Sequence, residues 1–144
     1  MNRRIVTIAN NYLSGKGGEV KTFLNKIVCL RGGDNSHLSA TFPECETLFV
    51  INCEKNYVYY NLDTIRFPNV KKIYTNSHPC EYSVLHRHFL VNGEIEIFLE
   101  EKWYHHYKDR WFSEGSYIKP LQNEKMMDEL KKYMNEDLIM SNDN

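Results

Sequence analysis

Apolar residues along this chain fall in short runs punctuated by Asn, Gly, Pro and Ser, and the runs recur at nearly equal spacing. Ile5–Ala9 is β-branched and ends at Asn10-Asn11, which predicts a strand. Ile27-Val28-Cys29-Leu30 is apolar throughout and is stopped by Gly32-Gly33-Asp34, a second strand. Residues 47–52 and 71–76 predict a third and a fourth, entered through Phe42-Pro43 and Phe67-Pro68. Proline fixes its own φ and holds the preceding residue extended, so each Phe-Pro is a stiff approach to a strand. Residues 94–100 alternate Glu94, Glu96 and Glu100 with Ile95, Ile97 and Leu99, a fifth strand of period two with an acidic polar face.

Helical signals lie between and after these runs. Residues 20–26 predict a helical turn, and Ser77-His78-Pro79 has the form of a helix start, with Tyr82, Leu85 and Phe89 at helical spacing before Asn92-Gly93. Residues 115–120 read as a connector. Residues 123–140 predict an amphipathic helix whose apolar stripe comprises Met126 or Met127, Leu130, Tyr133 or Met134, and Leu138. That stripe either caps the fold or pairs with its copy in another subunit.

The two Phe-Pro phrases, 25 residues apart, align Cys45 with Val70, Leu48 with Ile73, and Phe49 with Tyr74. The same phase carried forward reaches Ile95 and Phe98; carried back, it meets Leu24 and Ile27, then Ile5 and Ile8. A strand-bearing repeat of this length resembles the leucine-rich-repeat family across residues 5–100. The core positions would be Ile5, Ile8, Leu24, Ile27, Cys29, Cys45, Leu48, Val50, Val70, Ile73, Ile95 and Phe98. The chain departs from the family at Asn10, Thr75 and Glu100, and at His78 and Trp103 where the family places asparagine. The resemblance implies an α/β fold: a small parallel-strand solenoid of about five strands with a C-terminal helix. The alternative is a compact three-layer α/β domain with a mostly parallel sheet. As a single domain the chain divides into strand region 5–100, an aromatic and His-rich segment 101–120, and helix 121–140.

In the repeat register one outward column reads Ala9, Val28, Phe49, Tyr74 and Leu99. A sheet face in water alternates with polar residues, so an apolar column requires a cover. The candidates are residues 103–112 folding back, a second subunit, or a target. Phe49, Tyr74 and Leu99 with Trp103, Tyr104, Tyr107 and Trp111 are therefore the expected partner-binding residues, and Met127, Leu130, Met134 and Leu138 the expected oligomer helix.

Composition narrows the functional classes. The net charge is −1, which gives no whole-molecule attraction to nucleic acid or an anionic membrane. Ten Tyr, seven Phe and two Trp suit a sheet protein or a contact surface. The four cysteines, Cys29, Cys45, Cys53 and Cys80, are irregularly spaced and mostly within apolar runs, which predicts buried thiols in a reducing, intracellular setting. No run approaches the roughly 20 apolar residues needed to cross a bilayer, and the N-terminus lacks a signal peptide's apolar core. Abundant Asn, Lys, Tyr and Ile resembles the proteins of large DNA viruses, which implies a host-cell or virion setting.

Four constellations bear on chemistry. Ser14-Gly15-Lys16-Gly17-Gly18 lacks the upstream glycine and following hydroxyl of a phosphate-binding loop. His78, Cys80, His86 and His88 are zinc-ligand types, but each pair has one intervening residue, and on a helix His86 and His88 point about 200° apart. His105-His106 near Asp109, Glu100 and Glu101 has no positioned nucleophile. Residues 102–111 interleave Lys102, His105, His106, Lys108 and Arg110 with aromatic rings, a mixture suited to single-stranded nucleic acid; Arg3, Arg4, Lys71 and Lys72 would extend it. These observations favour a non-catalytic protein-protein interaction or structural protein that self-associates and uses no cofactor. A His/Cys metal-binding protein or enzyme, and a nucleic-acid binder acting through residues 102–111, are the rival expectations.

Overall fold

The computed structural model describes residues 5–9, 21–31, 40–52, 67–77, 95–111 and 118–142. Within them lie β1 (Ile5–Ala9), β2 (Lys21–Thr22), β3 (Ile27–Arg31), β4 (Ala40–Thr41), β5 (Thr47–Ile51), β6 (Lys72–Thr75), β7 (Glu96–Glu100), α1 (Glu101–Trp111), β8 (Ile118–Leu121) and α2 (Asn123–Asn142). Six strands form one sheet in the order β1-β3-β5-β6-β7-β8, and every neighbouring pair is parallel. The order follows the chain without the reversal that marks a doubly wound sheet. Short β2 and β4 pair with each other in a second, parallel ladder.

All five strands expected from the apolar runs are present. Residues 20–26, expected to make a helical turn, instead contain β2, held by Phe23 N–H donating to the Thr41 carbonyl at 3.0 Å. Residues 115–120, expected to be a connector, contribute most of a sixth strand. Pro120 cannot donate to a ladder, and β8 lies at the sheet edge, where proline is tolerated. Most of segment 103–112 is helical, with Glu101 in the first turn where it complements the helix dipole.

The register confirms the Phe-Pro phase and corrects its extension. Leu48 pairs with Ile73 and Phe49 with Tyr74, but Ile73 then pairs with Ile97 and Tyr74 with Phe98. The step into β7 is thus 24 residues, and a one-residue slip moves a side chain to the other face. Leu99 therefore leaves the expected column and is buried in the opposite core. Val28 makes the same move: it pairs with Leu48, while Cys29 stands beside Phe49. Ala9 aligns with Arg31, not with Val28. Leu24, expected in the core, is 68% exposed, and Phe23 turns inward in its place.

The sheet carries a core on each face, with α1 packed toward one and α2 on the other, an arrangement that fits a three-layer α/β fold. Val28, Leu48, Ile73, Ile97 and Ile118 line the first face, closed over by Phe42, Cys45, Phe67 and Val70 from the strand approaches. Phe23, Phe42 and Phe67 stack ring on ring, with centroids 5.5 and 4.7 Å apart. The Asn69 side-chain amide donates to the Pro43 carbonyl at 2.6 Å, tying one Phe-Pro approach to the next. Backbone bonds repeat in step: Thr47 N–H donates to Lys26 O, Lys72 N–H to Glu46 O, and Glu96 N–H to Lys71 O.

Candidate functional site

The second face carries a different ladder. Phe49, Tyr74 and Phe98, from β5, β6 and β7, stack with centroids 4.7 and 4.8 Å apart and rings within 13° of parallel. Offset stacking of this kind adds about 0.5–1.5 kcal/mol per pair beyond burial. The cover over it is α2. Met126 and Leu130 are fully buried there, Met127, Tyr133 and Met134 pack at the flanks, and Tyr133 meets Phe49 edge-on at 6.0 Å. The helix follows β8 and reaches β1 at the opposite edge of the sheet. Burial pushes the Tyr74 phenol up to about 12, and the nearby Glu129 carboxylate adds to the shift.

Phe49, Tyr74, Leu130, Met127 and Met134 therefore meet one another within one chain, whereas Leu99 lies on the opposite face. Leu138 belongs to the distal part of α2. Trp103 and Tyr104, expected to fold over the aromatic column, pack against the opposite core instead, and Tyr107 and Trp111 lie further along α1.

At the ends of β5 and β6 a polar cluster joins elements that sequence reasoning left separate. Asn52 turns the chain out of β5 with φ of 52°, a left-handed conformation that Asn tolerates. Its backbone N–H donates to Asn76 Oδ1 at 2.7 Å. Asn76 Nδ2 donates to Asn52 Oδ1 at 3.0 Å and to Asn123 Oδ1, at the start of α2, at 2.9 Å. The Asn76 N–H reaches Val50 O, and its carbonyl accepts from Trp103 Nε1 at 3.1 Å. Beside it, buried Ser77 donates from Oγ to Val50 O. The signal was present in the sequence as asparagines closing two consecutive strands, but the family's asparagine pattern directed attention to His78 instead.

On α1, Lys102 Nζ lies 4.7 Å from the Trp103 ring centroid, His105 packs edge-on to Tyr104, and His105 and His106 are exposed. Lys71 and Lys72, candidate phosphate contacts, sit 3.9 Å from Glu46 and from Glu96, and Lys119 contacts Glu96 at 2.7 Å. These exposed pairs neutralise the basic stretch more than they stabilise the fold. Cys29 and Cys45 are buried thiols outside any disulfide; burial pushes the Cys45 thiol up to about 12, and its Sγ–H donates to Thr47 O at 3.3 Å. Among the described residues no group of three or more His, Cys, Asp or Glu side chains is placed to hold a metal. His78, Cys80, His86 and His88, the loop at 14–18 and Cys53 lie outside the described residues. No described helix is long and apolar enough to cross a membrane.

Comparison with known proteins extends over this framework. A model described as a family of unknown function, DUF5845, matches residues 27–112, from β3 through α1. The chain belongs to the DUF5845 family. The DUF5845 match contains Phe42, Phe67, Phe49, Tyr74 and Phe98 of the two aromatic stacks, together with Asn76 and Trp103, and ends ahead of β8 and α2. The uncharacterized protein R849 of Acanthamoeba polyphaga mimivirus is 37% identical over 122 residues, covering 83% of this chain and 82% of that protein. The uncharacterized protein L163 of the same virus is 47% identical over 45 residues, 31% of this chain and 33% of that one. Both relatives agree with the compositional resemblance to large DNA virus proteins. No solved structure matches the chain.

Proposed function

We propose that this DUF5845 chain is a non-catalytic protein-protein interaction or structural protein, built as a small leucine-rich-repeat-like solenoid and associating with copies of itself in a host cell or virion. The observation that carries the reading is the strand order. Each strand of a six-stranded parallel sheet adds beside its predecessor in chain order, and two aromatic stacks run through successive strands and strand approaches in step with it. Such stacks hold each unit only against its neighbours and leave their flanks as extended surfaces for partners. Phe49 and Tyr74 serve α2 in this arrangement, so the contact surface moves to α1. There half-buried Tyr104 borders exposed Lys102, His105 and His106, an aromatic and cationic mixture suited to protein contacts.

Light scattering on the purified chain and on a His105→Glu/His106→Glu variant tests this. The expected result is a concentration-dependent multimer for the unaltered chain and a weaker one for the variant, with unchanged circular dichroism. A multimer indifferent to the variant removes α1 from the interface. A chain that remains monomeric up to its solubility limit overturns self-association.

A further inference from the structure

We propose that α2 is a strap held over the aromatic ladder by Asn76, and that Asn76 couples the docking of α2 to that of α1 on the opposite face. Among the described residues the two helices share no core: α2 buries Met126 and Leu130 against Phe49 and Tyr74, whereas Trp103 and Tyr104 of α1 pack against the other cluster. Asn76 touches both. Its side-chain Nδ2 holds Asn123 at the first position of α2, and its carbonyl holds the Trp103 indole.

The geometry fixes how each group is used. The Asn52 backbone N–H can only donate, so the oxygen of the Asn76 carboxamide must face it, at 2.7 Å. The amide nitrogen is thereby turned toward Asn52 Oδ1 and Asn123 Oδ1. The Asn76 N–H, bonded to Val50 O, sets the direction of the same residue's backbone. Docking of either helix consequently orders the residue that the other needs, which is positive coupling carried by hydrogen bonds through Asn76.

The cover has the anatomy of a strap. Gln122 alone separates α2 from β8, and the described part of the helix meets the sheet along one stripe, with Lys125, Asp128, Lys131 and Lys132 facing water. When it lifts, the rings of Phe49, Tyr74 and Phe98 are uncovered together, since they form one continuous stack.

Native-state hydrogen exchange, read by mass spectrometry on the full chain, tests the coupling. In the unaltered protein the amides of α1 and α2 should open as one unit at lower denaturant than those of β3 and β5. Asn76→Ala should raise α2 opening roughly fivefold, the equivalent of one exposed hydrogen bond, and should separate it from α1 opening. Leu130→Asp, which weakens the strap from its apolar side, should raise α1 opening when Asn76 is present and leave it unchanged in the Asn76→Ala background. If Leu130→Asp also opens β5, Met127→Ala at a half-buried position gives the same reading more gently. The proposal is overturned if α1 protection ignores α2 release, if the response is the same in both backgrounds, or if α2 opens only with the whole sheet.

Discussion

The two aromatic stacks are built alike and closed differently. Phe42 and Phe67 are sealed by the strand approaches that carry them, and each is at most 1% exposed. Phe49, Tyr74 and Phe98 stack as closely, yet their outer side is closed by one helix that joins the sheet through a single residue, and Phe98 stays half-buried. A stack enclosed by the strand approaches, with Trp103 and Tyr104 packed against its core, opens with the fold. A stack closed by an appended helix can open ahead of the sheet, because the free energies of those two events are set by different contacts.

The largest difference between the two stacks is expected for Phe67→Ala. Removing a fully buried ring from the sealed stack should cost about 3–5 kcal/mol, seen as a cooperative loss of stability in urea with an unchanged slope. Leu130→Ala, on the covered side, should cost about 2–3 kcal/mol, and its effect should appear in exchange of α2 before that of β5. Asn76→Ala should cost about 1–2 kcal/mol, the sum of partly exposed hydrogen bonds.

Tyr74 gives a smaller effect with a defined sign. Its folded value is raised to about 12 from 10.0, so the native state keeps a proton that the unfolded chain releases. Its contribution is complete below pH 10 and is lost as pH rises through about 12. Thermal melts should fall steeply in that window, and Tyr74→Phe should flatten the slope. At the bottom of the scale, Lys119→Ala removes an exposed contact to Glu96 and should leave the melting temperature within error of the unaltered chain.

Strand positions were legible because apolar runs between Asn, Gly and Pro punctuation report backbone period directly, and the Phe-Pro pair reported register between β5 and β6. The register of β7 was not legible: Ile95, Ile97, Phe98 and Leu99 are all apolar, so a shift of one residue keeps hydrophobicity while exchanging faces. β8 was hidden by Pro120, which argues against a central strand but not against an edge. The cover over the aromatic column was misassigned for a related reason. Segment 103–112 is richer in rings than residues 123–140, but its Trp103 is tied to Asn76 and turned to the other core, a tertiary bond with no sequence signature. The apolar stripe of α2 was visible; whether it served its own sheet or a second chain depended on how the helix leaves β8.

Sedimentation equilibrium over a wide concentration range measures self-association of the chain. The expected weight-average mass rises with concentration above the 17.1 kDa of one chain toward a whole multiple of it. A mass that stays at 17.1 kDa throughout rules out self-association over that range.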